Sequence, residues 1–111
     1  MISLSVNLTP SDAAHIIEDY VTRSGFTSEK TGKHQSRSQD GREAILLVFE
    51  KYFMRNSSRA SLSVMIENLR GNTTVCAIGS GGGQMTFFKF DWGASDNLEN
   101  LVEKAMRGYT N

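Results

Sequence analysis

The chain has 111 residues, the length of a single domain spanning 1–111, and its 39% apolar and 22% charged composition is that of a globular protein with one modest core, not of a disordered chain. Twelve Lys and Arg balance twelve Asp and Glu, so the basic excess of a dedicated nucleic-acid binder is missing. One cysteine, Cys76, excludes an internal disulfide framework, and no apolar run approaches the roughly 20 residues of a membrane span. The opening MISLSVNLTPSD has neither the basic start nor the long apolar stretch of a signal peptide, so the cytoplasm is the expected compartment.

Ile2, Leu4, Val6 and Leu8 alternate with Ser3, Ser5 and Asn7, which predicts a half-buried strand. Thr9 then offers an N-cap, Pro10 suits the first helical position, and Asp12 stands three residues after the cap. The helix that follows places Ala13, Ile16, Ile17, Tyr20 and Val21 on one face, and Gly25 is its natural stop. Residues 27–41 hold no large apolar side chain. They read as a solvent-exposed strand with frayed ends; a hairpin turning at Thr31-Gly32 and a mobile loop are the open alternatives.

Residues 42–54 form the longest strand candidate, with Ala44 to Phe49 as its apolar heart and a turn at 55–58. Leu62, Val64 and Ile66 alternate with Ser61, Ser63, Met65 and Glu67 in the next strand, and a loop falls at 68–72. Residues 73–78 and 85–92 make a further pair across a glycine-rich loop, completing an antiparallel meander. Ser95 or Asp96 caps the last helix, and Asp96 with Glu99 resembles a capping box. Leu98, Leu101, Val102, Ala105, Met106 and Tyr109 recur at helical spacing up to Gly108. The expected fold is α+β: an antiparallel meander sheet of five or six strands, with two helices, one near each terminus, packed on one face.

Gly79, Ser80, Gly81, Gly82 and Gly83 form a nearly side-chain-free loop that ends on Gln84. Backbone N–H groups of such a loop can cradle an anion, which makes these six residues the candidate ligand-binding set. The loop runs from strand to strand and lacks a following Lys-Ser/Thr, so it is neither a phosphate loop nor a dinucleotide fingerprint. A sheet corner, where another element packs on bare backbone, is the simpler account. Phe87 and Phe88 are adjacent, so one of them faces away from the core. Met65, Met85 and Phe87 are the expected interface residues on a covered second face of the sheet.

The histidines and Cys76 are scattered without metal-ligand spacing, so no metal site and no cofactor are expected. His15 and Asp19 are helix neighbours best read as a surface pair, and Cys76 as a small hydrophobe inside a strand. From Phe26 to Gly71 there are eight basic residues against five acids, read as a solvated basic edge.

The aromatic-Glu-basic-aromatic run Phe49-Glu50-Lys51-Tyr52, the Arg59-Ala60-Ser61-Leu62 strand, Gly82-Gly83-Gln84 and Phe87-Phe88-Lys89 stand in this order. In that pattern, over about residues 45–93, the chain resembles a family of small bacterial proteins of unknown function. The resemblance implies a compact α+β domain in a bacterium and no activity.

No nucleophile and base can be placed together, which weighs against an enzyme that would use the glycine loop as an oxyanion cradle. The leading expectation is a non-enzymatic binding and self-association module forming a homo-oligomer through its sheet, without nucleic-acid or membrane partners. The alternative is a binder of a small apolar molecule, with a pocket between the sheet and the C-terminal helix and the glycine loop at its mouth.

Overall fold

The structure, a computed structural model, describes residues 1–24, 29–53, 58–80 and 98–111. In these residues the order is β1 (Ile2–Val6), α1 (Pro10–Arg23), β2 (Glu29–Arg37), β3 (Glu43–Phe53), β4 (Ser58–Glu67), β5 (Thr73–Ser80) and α2 (Glu99–Ala105). The strands form one antiparallel sheet in the order β1-β5-β4-β3-β2. The first helix carries the chain from one edge of the sheet to the other, and the meander then returns strand by strand to β1. This is the α+β fold expected from the alternation of apolar and polar residues. The expected stop at Gly25, the strand at 85–92 and the caps Ser95 and Asp96 lie outside the described residues.

The two faces of the sheet are chemically distinct. Ile45, Leu47 and Phe49 of β3, Leu62, Val64 and Ile66 of β4, Val75 and Ala77 of β5, and Val6 of β1 point to one side and are buried. Both helices lie on that side, and Ile17, Val21, Val102 and Met106 complete a single core cluster. Thr9 Oγ1 accepts the Asp12 N–H at 3.2 Å, and Pro10 occupies the first turn, so α1 starts where the sequence places it. Its buried stripe is Pro10, Ala13, Ala14, Ile17 and Val21, while Tyr20 is exposed. Helical spacing groups Tyr20 with the core face, but the line of contact runs through Ala13 and Ala14, whose small side chains sit against the core, and leaves Tyr20 outside it.

The last helix starts at Leu98 without a side-chain cap. Glu99, expected to close a capping box, is turned to the sheet, and its Oε2 accepts the Gly79 N–H at 2.8 Å. The polar stretch before β3 is the exposed strand expected of it, and it pairs with β3 along its length. A register shift between Lys30 and Gly32 marks a bulge in place of a hairpin turn at Thr31-Gly32.

Glu43 ties the helix layer to the β2 edge. It is only 7% exposed, and its carboxylate accepts from Arg37 Nη2 at 2.7 Å, Gln35 Nε2 at 3.0 Å and Ser11 Oγ at 3.3 Å. Asn68 Oδ1 accepts the Glu43 backbone N–H at 2.8 Å, adding the β4–β5 turn to the cluster. The Arg37 guanidinium holds the Glu43 carboxyl below the usual carboxylate range, against the opposing effect of burial.

Both sheet edges are protected. At β1, Gly108 adopts φ +94°, the chain reverses, Asn7 N–H donates to the Tyr109 carbonyl, and Asn111 N–H donates to the Ser5 carbonyl, both at 2.9 Å. At β2, the bulge and the cationic side chains of Lys33 and Arg37 make the edge a poor template for another strand. Among the described residues, no helix is long and apolar enough to cross a membrane.

Candidate functional site

Neither of the two described helices covers the second face of the sheet. Pairing across the strands sorts its side chains into rows. One row is Ser3, Cys76, Met65, Leu46 and His34, spanning all five strands; the next is Ile78, Ser63 and Val48. These two rows are flanked on one side by Thr74, Glu67 and Ala44 and on the other by Ser80, Ser61 and Glu50. The result is an apolar centre with a polar border.

Ile78 is 51% exposed and Met65 is 41% exposed. They stand beside Leu46 and Cys76 in an open hollow of about 360 Å³, with Glu67 and Thr74 at one end. Large apolar side chains held this far into water on central strands are a departure from ordinary burial, because each forgoes roughly half of the ~1.5–3 kcal/mol of transfer free energy that full burial would return. The surrounding serines are small and carry hydroxyls that water or a partner satisfies equally well.

Met65, expected at an interface, therefore does face away from the core. Met85 and Phe87, named with it, lie outside the described residues, as do Gly81, Gly82, Gly83 and Gln84. Gly79 and Ser80 belong to β5, which runs two residues further than the apolar pattern indicated. A Cβ at position 79 would lie 2.9 Å from Leu98 Cβ and 3.4 Å from Glu99 Oε2. At Gly79, the start of α2 thus packs on bare backbone.

Cys76 lies inside β5 as expected, half-buried on the uncovered face, with Sγ 3.8 Å from Met1 Sδ. Ile78, Leu46 and Val48 were not singled out from the sequence. Their signal is the lack of alternation in Ile45-Leu46-Leu47-Val48-Phe49 and in Val75-Cys76-Ala77-Ile78: unbroken apolar runs give a strand two apolar faces.

Other candidates do not converge. Asp19 pairs with Arg23 Nε at 3.0 Å, and His34 Nε2 lies 3.0 Å from Ser36 Oγ. Lys33, Arg37, Arg42 and Arg59 each stand beside an acid, namely Glu18, Glu43, Asp40 and Glu50. Among the described residues, no three His, Cys, Asp or Glu side chains are grouped to hold a metal ion.

A sheet with both described helices on one face defines an α+β architecture and not an activity. Comparison with known families places the chain: the model of a family of unknown function, DUF6054, matches residues 1–110, and the chain belongs to that family. The match extends well beyond the 45–93 segment in which the resemblance was legible. No curated protein and no solved structure matches the chain.

Proposed function

We propose that this protein is a non-enzymatic binding and self-association module that docks through the uncovered face of its sheet. The observation that carries the reading is the exposure of Ile78 and Met65 side by side in the middle of that face. Interfaces have this anatomy, an apolar centre depleted in charge within a polar border. The protected edges weigh against strand-to-strand addition as the mode of association. The space under α2 is filled by Leu98, Val102 and Met106, all buried, which favours the open face over a pocket between sheet and helix.

A native mass spectrum of the protein purified without added ligand tests the reading, since it reports subunit count and retained molecules together. The expected result is an oligomer of unmodified chains that Ile78→Asp converts to monomers. A monomer at high micromolar concentration, or an oligomer that Ile78→Asp leaves intact, contradicts it.

A further inference from the structure

Resting on the reading of the uncovered face as the docking surface, we propose that its occupant is a second copy of this chain, stacked face to face with β4 lying antiparallel across β4. The face is self-complementary in this one orientation. With the twofold axis between the Ser63 and Met65 rows, the Cys76, Met65 and Leu46 row of one copy stands over the Ile78, Ser63 and Val48 row of the other. Met65 then meets Ser63 and Ile78 meets Cys76, so on β4 and β5 each bulky side chain faces a smaller one, while Leu46 meets Val48 as an apolar pair on β3.

Charge selects the same orientation. Arg59 and Glu67 lie near opposite ends of β4, both on the uncovered face. Antiparallel stacking puts Glu67 of the second copy over Ser61, one row from Arg59. The Arg59 guanidinium, 3.8 Å from Glu50 and with its side chain 71% exposed, then stands between Glu50 of its own chain and Glu67 of the second copy. Parallel stacking would instead set Arg59 against Arg59 and Glu67 against Glu67, a repulsive arrangement. The contact is isologous, so each favourable pair occurs twice and the dimer closes.

The area is sufficient. From strand spacing and rise, the face measures about 600 Å², or about 1,200 Å² for two copies, the lower bound of specific, stable interfaces.

Sedimentation equilibrium on charge-reversed proteins tests the stacking. Arg59→Glu alone and Glu67→Arg alone are each expected to weaken dimerisation by about tenfold, because each sets two pairs of like charges opposite one another. An equimolar mixture of the two is expected to recover wild-type association, since the mixed dimer restores both attractive pairs. Glu67 Oε1 also accepts the Leu69 N–H at 2.8 Å, so the fold of Glu67→Arg is checked by circular dichroism, and Arg59→Glu stands as an independent arm. A dimer dissolved by Ile78→Asp but not weakened by Arg59→Glu overturns the stacking and leaves the docking face standing. A dimer indifferent to Ile78→Asp overturns the docking face itself. A wild-type monomer overturns both.

Discussion

Gly79 and Glu99 meet where the last described strand and the last helix converge: the Gly79 N–H donates to Glu99 Oε2 at 2.8 Å, and Leu98 Cβ occupies the space that a side chain at position 79 would need. The contact joins β5 to α2, 20 residues apart in sequence, and Glu99 is one of few charged residues buried in the described structure.

This contact makes position 79 intolerant of any side chain. Gly79→Ala forces the Leu98 backbone or the β5 strand to shift, because the obstructing atom is a Cβ and cannot swing away. Overpacking of this kind destabilises by about 1–3 kcal/mol. Glu99→Ala leaves the Gly79 N–H without its acceptor, at a similar penalty of about 1–3 kcal/mol. Urea denaturation of the two variants measures both; wild-type stability in Gly79→Ala would mean that the approach of α2 is looser than described.

Glu43 gives the fold an acid-sensitive fastening. Its carboxyl is held below its ordinary value of 4.5, chiefly by Arg37, so the folded state favours the ionised form. The stabilisation is complete above the unfolded value and is lost as pH falls below about 4.5 through the lower folded value. Glu43→Gln is expected to lower stability at neutral pH by about 1–2 kcal/mol and to flatten the decline between neutrality and acid. Thermal melts across that range compare the two proteins; parallel profiles would show that Glu43 is not the fastening.

Gly108 is required where the chain reverses onto β1. Its φ of +94° lies in the region that side chains disfavour by about 1–2 kcal/mol, so Gly108→Ala should destabilise the protein by that amount. It should also release Tyr109 and Asn111 from the backbone of β1 and leave that edge open. Light scattering on a warmed sample is expected to show faster aggregation than in the wild type. An unchanged aggregation rate would mean the edge is protected by other means.

The sequence is most legible where two local signals agree. Thr9, Pro10 and Asp12 mark the start of α1 because capping chemistry is set by neighbours in the chain. Alternation in Ser61 to Glu67 assigns each side chain of β4 to a face before any partner strand is known. Tyr20 and Cys76 are less legible, because hydrophobicity says that a residue favours burial, not which face of its element receives a neighbour. Glu99 shows the same limit for polar residues: an acid near a helix start can serve its own turn or a distant strand, and only the tertiary approach of β5 decides. Alternation sets Met65 on the face opposite Leu62, Val64 and Ile66, but the row it forms with Leu46 and Cys76 depends on register between strands, which alternation does not fix.

The uncovered face provides its own probe. Cys76 sits in the central row between Ser3 and Met65, so any partner seated on the face shields its thiol. The most direct measurement is the alkylation rate of Cys76 in the native protein across a dilution series. Docking through this face by a second copy predicts slow alkylation at high protein concentration and progressively faster alkylation on dilution, in step with dissociation. A rate that does not vary with concentration would contradict it.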